Sequence, residues 1–98
     1  MDFEKPSKSG FTIYSKSGCP NCTKVKTLLK SKNLFFNVVD CDEYLIEDKE
    51  TFLTFIKQLA NQQVKAFPII FYDEQFIGGY KETSEFIDEL VLAFDANF

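Results

Sequence analysis

The sequence predicts an α/β domain whose elements run β-α-β-α-β-β-α. Three observations carry that reading. Short apolar runs bounded by polar or turn residues mark strands at "FTIY", "LFFNVVD", "FPIIFY" and "QFI". Apolar residues recur at helical spacing in three longer stretches. The first strand, helix and second strand follow one another closely, which makes a parallel pair with a crossover.

Met1 to Gly10, rich in Ser, Lys and Pro, reads as a flexible leader, leaving 11–98 as the folded domain. Phe11 to Tyr14 alternate apolar and polar and form the first strand. In the first helix Cys22, Val25, Leu28 and Leu29 share a face, and Pro20 sits in the opening turn, where a missing N–H costs nothing. Leu34 to Asp40 are the second strand. The acidic stretch "CDEYLIEDKE" reads as a linker into a helix striped by Phe52, Phe55, Ile56 and Leu59. Phe67 to Tyr72 form a third strand, Asp73 and Glu74 turn the chain, and "QFI" returns antiparallel. Gly78 and Gly79 end that strand. Thr83 or Ser84 is positioned to cap a last helix, with Phe86, Ile87, Leu90, Val91 and Phe94 as its buried stripe.

The 98 residues suffice for one small domain, and 45% of them are hydrophobic, enough for one core. Twelve phenylalanines and no tryptophan make that core Phe-rich. Net charge is -4, and all eleven basic residues are lysine. Arginine's planar fork reads phosphates and base edges best, so its absence and the acidic balance argue against a nucleic-acid binder. Charge is uneven along the chain. Met1 to Lys32 carry a net +5 and the remainder -9, so positive charge gathers around the cysteine pair, where it favours thiolates or anionic ligands. No apolar stretch approaches a membrane span, and the polar N-terminus lacks a signal-peptide core. Three cysteines, an odd number, do not suit a secreted disulfide framework, so the expectation is a cytoplasmic protein.

The stretch "SKSGCPNCTKVKTLLK" carries the chemistry. A structural zinc site needs four ligands, usually Cys or His. This chain has no histidine and one further cysteine, Cys41, so no metal site is expected. A structural disulfide across two residues would remove little unfolded-chain entropy. Without an imidazole, Cys-His and Ser-His-Asp catalysis are also excluded. Thiol–disulfide exchange remains. Cys19 lies just before a helix, where free N–H groups and the helix dipole stabilise a thiolate, and Lys16 is three residues upstream. Cys22 lies inside the first turn, sheltered, and can attack a mixed disulfide formed at Cys19. A Cys-x-x-Cys between a strand and a helix reads as a thioredoxin-like redox motif. Cys41, in "VVDCD", is expected to be a small buried hydrophobe.

Three segments together resemble a glutaredoxin. "YSKSGCPNC" looks like the family's strand-loop-helix, "FPIIF" like the strand opened by a cis-proline at Pro68, and "FIGGYKE" like the Gly-Gly turn before the last helix. The resemblance runs from about Phe11 to Phe94. It implies a thioredoxin-like fold, a four-stranded mixed sheet flanked by three or more helices. It also implies a reversibly oxidised dithiol with glutathione as electron donor and no resident cofactor. Cys19 matches the nucleophile and Cys22 the resolving thiol. Lys16 matches a basic residue near the glutathione glycine carboxylate. Phe67, before Pro68, matches the residue whose backbone pairs with the glutathione cysteine unit. Gly79, Lys81 and Glu82 match positions around the γ-glutamyl end. Two departures stand out: Ala66-Phe67 replaces the common Thr-Val, and Asn21 replaces an aromatic residue between the cysteines.

The implied partners are glutathione and disulfide-bearing proteins, for example ribonucleotide reductase, met by a monomer. A reduction potential of about -200 to -230 mV suits exchange with the glutathione pool. Two other readings stay open. One is a thioredoxin-like reductant recharged by a reductase. The other is a carrier of a [2Fe–2S] cluster held by Cys19 of two chains and two glutathiones, since soft thiolates suit such clusters.

Overall fold

The computed structural model describes residues 2–95, with side chains through Leu92. The elements are β1 (Phe11–Ser15), α1 (Pro20–Ser31), β2 (Phe36–Asp40), α2 (Asp42–Glu47), α3 (Lys49–Ala60), β3 (Ile69–Tyr72), β4 (Gln75–Gly78) and α4 (Tyr80–Asp95). The strands form one mixed sheet in the order β2-β1-β3-β4. β1 pairs parallel with β2 and antiparallel with β3, and β3 pairs antiparallel with β4.

Helices cover both faces of the sheet. On one side Tyr14, Val39, Ile69 and Phe71 pack against Phe52 and Ile56 of α3. On the other, Phe11, Ile13 and Ile70 meet Val25 and Leu29 of α1 and Ile87 of α4. β1 is therefore buried at all five residues, although its alternation suggested one wet face. Its hydroxyl-bearing Thr12 is 1% exposed and accepts a hydrogen bond from the Ser7 N–H at 2.9 Å.

Chain reversals follow local chemistry. α1 ends in a Schellman motif: Leu34 N–H donates to Leu29 C=O at 3.0 Å and Asn33 N–H to Lys30 C=O at 3.1 Å, with Asn33 left-handed at φ 57°. Asp73 and Glu74 both take positive φ, 48° and 69°, as the tight hairpin between β3 and β4 requires.

Three expectations change. The acidic "linker" contains a helical turn and a half, α2, whose Asp42 and Glu43 favour a helix N-terminus. α4 begins at Tyr80 rather than at a Thr83 or Ser84 cap. The Glu82 Oε1 accepts the Gly79 N–H at 2.8 Å, which closes half a capping box with Gly79 as the cap, ahead of both hydroxyls. Thr83 is thus inside the helix and fully buried. Of the α4 stripe, Ile87 is buried, Phe86 and Leu90 are half-buried, and Val91 is exposed at 39%. The Phe94 side chain lies outside the described residues.

The segment read as a leader lies against the fold. Phe3 sits 5.0 Å from Tyr44 and 5.3 Å from Phe52, ring centre to ring centre, and Pro6 is buried. The Tyr14 hydroxyl donates to the Glu4 carbonyl at 2.8 Å.

Candidate active site

The β1–α1 junction builds the site. β1 delivers the chain at Ser15, and Gly18 turns it with φ 68°, in the left-handed region open to glycine. Cys19 then occupies the N-cap of α1, and Pro20 takes the first helical position. The Cys19 Sγ accepts the Cys22 N–H at 3.1 Å, and the Cys19 carbonyl accepts the N–H groups of Cys22 and Thr23. A sulfur here faces the unpaired donors that begin every helix. Cys19 is half-buried and Cys22 is 1% exposed. Their Cα atoms lie 5.2 Å apart and they are paired as a disulfide.

One residue that the sequence reading missed fixes this loop. Asp42, at the start of α2, accepts the Ser17 N–H at 2.8 Å through Oδ1 and the Ser17 hydroxyl through Oδ2. These bonds, and then Lys16, hold its carboxyl below the ordinary value of 3.8. The tie is therefore complete above that value and is lost as the pH falls through the lowered pKa. The Ser17 amide proton shift should accordingly titrate below pH 3.8, and Asp42→Ala should abolish that titration and speed hydrogen exchange at Ser17. A midpoint at or above 3.8 would count against the tie. The sequence held one weak signal, an acid opening a helix just after the strand that flanks β1.

Two depressions flank the cysteine pair. A pocket of about 310 Å³ is lined by Lys16, Ser17, Cys19, Cys22, Lys26 and Asp40, among others. A groove of about 580 Å³ runs along Phe67, Pro68, Gly79, Lys81 and Glu82, with Asn21 at its cysteine end. The Phe67–Pro68 bond is cis. The fold thus gathers Phe67, Pro68, Gly79, Lys81 and Glu82 into one groove. Lys16 stands at its border, its ammonium 5.5 Å from the centre of the Phe67 ring. Glu82 already uses one oxygen on the Gly79 N–H, leaving Oε2 for other partners. Gly78 makes that approach possible. It has φ 138°, and a Cβ there would meet Glu82 atoms at 2.8 Å.

Cys41 takes no part. It is fully buried on the far side of the sheet from α1, and burial pushes its thiol up to about 12. Among the described residues no cluster of three or more His, Cys, Asp or Glu side chains is placed to hold a metal ion. No described helix is long and apolar enough to cross a membrane.

The glutaredoxin family model matches residues 11–77, from β1 through most of β4. Glutaredoxin 1 of Rickettsia conorii is 34% identical over 67 residues, which are 68% of this chain and 61% of that protein, so the match spans under two thirds of the relative's length. The crystal structure of glutaredoxin 1 from Francisella tularensis, complexed with cacodylate, superposes with a TM-score of 0.72 at 26% identity, over 83% of this chain and 94% of that one. A buckwheat glutaredoxin–glutathione complex shares the fold at a TM-score of 0.66 and 21% identity, over 82% of this chain and 69% of that one. The matched span holds the helix-capping cysteine pair and the cis-proline strand in the order described above and stops just short of Gly78, and on that ground the chain belongs to the glutaredoxin family.

Proposed function

We propose that this protein is a glutathione-dependent thiol–disulfide oxidoreductase working through Cys19 and Cys22. The observation that carries the reading is the placing of Cys19 at a helix N-cap with its sulfur on the Cys22 N–H, beside the cis-proline groove. The Cys19 thiolate attacks a substrate disulfide, forms a mixed disulfide and releases one substrate thiolate. Cys22, as thiolate, attacks the Cys19 sulfur and releases the second. Two electrons have then moved to the substrate, and the pair is a disulfide. One glutathione thiolate reopens that disulfide at Cys19. A second attacks the glutathione sulfur of the new mixed disulfide, freeing the Cys19 thiolate and leaving oxidised glutathione.

In this reading the glutathione backbone pairs with Phe67 beside Pro68, its glycine carboxylate meets Lys16, and its γ-glutamyl end meets Gly79, Lys81 and Glu82. The groove's shape and its mixture of lysine and carboxylate support that assignment, as does the buckwheat family member described above as a glutathione complex. The setting is a reducing cytoplasm, the partners are glutathione and protein disulfides, ribonucleotide reductase among them, and the working unit is a monomer.

The deciding experiment compares two electron donors, glutathione with glutathione reductase and thioredoxin reductase, on the same substrate. Turnover with glutathione alone is expected. Turnover with thioredoxin reductase alone would overturn the glutathione assignment and favour the reductase-fed alternative. Lys16→Gln should raise KM for a glutathionylated peptide a few-fold, since an exposed ion pair contributes about 0.2–1 kcal/mol, and added salt should weaken the wild type more than the variant.

The same geometry predicts that reduced Cys19 ionises below the free thiol value of about 8.5, through the helix N-terminus first and Lys16 second. The rate of alkylation by iodoacetamide should titrate well below that value. A midpoint at or above it would remove the helix-start argument.

A further inference from the structure

We propose that a lysine-lined cleft next to the active site receives an acidic segment of protein substrates. The proposal rests on the oxidoreductase reading and extends it from the tripeptide to the larger substrate. The cleft has a volume of about 210 Å³ and is lined by Lys16, Leu45, Lys49, Leu53, Lys65 and Phe67. Its walls are apolar, and every ionisable group lining it is a lysine. A depression of about 390 Å³ adjoins it, shares Leu53 and Lys65, and adds Lys57, with Glu50 its one carboxylate. Four of the chain's eleven lysines therefore border this surface, on a protein whose net charge is -4.

Position ties the cleft to the chemistry. Lys16 lines both the cleft and the pocket that holds Cys19. Phe67 and Lys65 line both the cleft and the cis-proline groove. A polypeptide whose cysteine reaches Cys19 can pass over Phe67 and continue along α3 past Lys49 and Lys57, meeting only Leu45 of the acidic α2 in the cleft. The cleft lies on the α3 side of Phe67 and the groove on the Gly79 side, so a tripeptide held in the groove leaves Lys49 and Lys57 untouched. Lysines lining the cleft together with Leu45 and Leu53 fit a segment that alternates carboxylates with an apolar side chain. Their charge speeds encounter, and the leucines contribute contact area.

Glutathionylated peptides of one sequence test this, with Glu-Leu-Glu, Gln-Leu-Gln or Lys-Leu-Lys beside the cysteine. The acidic peptide should show the lowest KM. Lys49→Gln combined with Lys57→Gln should raise that KM roughly three- to tenfold and leave the Gln-Leu-Gln peptide unchanged. Equal KM values for the three peptides, or a variant that behaves as wild type on the acidic one, would overturn the proposal. Binding of fluorescent analogues with serine in place of cysteine, followed by anisotropy, decides the question without turnover. Absence of turnover on every peptide defeats the oxidoreductase reading, whereas equal anisotropy for the acidic and neutral analogues defeats the cleft. A single-stranded oligonucleotide that displaces the acidic peptide and binds more tightly would also overturn the assignment to a peptide.

Discussion

Cys19→Ser should abolish reduction of both protein disulfides and glutathione mixed disulfides, while Cys22→Ser should abolish only the first. The asymmetry follows from burial and position. Cys19 caps the helix and is reachable, whereas Cys22 is 1% exposed within the first turn. On the proposed mechanism a substrate therefore meets Cys19 first. A protein mixed disulfide at Cys19 needs Cys22 to resolve it, but a glutathione mixed disulfide can be cleared by a second glutathione. Two assays on each variant, with a disulfide-bonded protein and with a glutathionylated peptide, check the division. Equal and complete loss in both assays for Cys22→Ser would contradict it. For Cys19→Ser the loss of turnover should reach the background rate in both.

Phe52→Ala should cost about 3–5 kcal/mol, a large part of the 5–15 kcal/mol typical of a whole domain. Phe52 is fully buried in α3 and joins three parts of the molecule. Its ring lies 5.3 Å from Phe3, 5.2 Å from Tyr44 and 6.5 Å from Phe67, the last pair nearly parallel at 13°. Truncation empties the centre of that nest, and the rings around it cannot collapse inward without moving α2 or the cis-proline strand. Urea unfolding measures the effect, and Tm should fall by roughly 15 °C or more. Phe55→Ala, at a half-buried site on the same helix, should cost clearly less. Similar midpoints for the two variants would show that the nest has no special weight.

Most of the architecture was legible because its signals were local. The stripes Cys22-Val25-Leu29 and Phe52-Ile56 are core, and the Asp-Glu hairpin sits where its two residues placed it. Misses arose where a tertiary partner decided the outcome. "DEYLIE" is too short and acidic to announce a helix, yet Tyr44 and Leu45 find Phe3 and the β-sheet side of α3 to pack on. Val91 keeps helical spacing with Ile87, yet it is exposed at 39%. The start of α4 is marked by Glu82 reaching back to the Gly79 N–H, a contact between side chain and backbone that leaves both later hydroxyls inside the helix. In the site, the cysteine pair and Pro68 could be read from their motifs. The Asp42–Ser17 tie could not, because it joins residues 25 positions apart in sequence.

The sheet order also sets an order of assembly. β1 is an interior strand, and both of its partners follow it in the chain, at very different distances: β2 begins at Phe36, and β3 pairs Tyr72 back to Phe11. During synthesis the β1–α1–β2 unit is complete well before β3 exists. Until then β1 offers an unpaired edge, with apolar Phe11 and Ile13 and only α1 to cover them. The redox helix is thus among the first parts to form, and the groove-forming strand among the last. Closing that long loop raises the chain's contact order, which slows folding. A nascent chain stalled before Ile69 holds both cysteines but has neither β3 nor a finished sheet, and its open edge is the kind of surface that makes incomplete chains prone to aggregate.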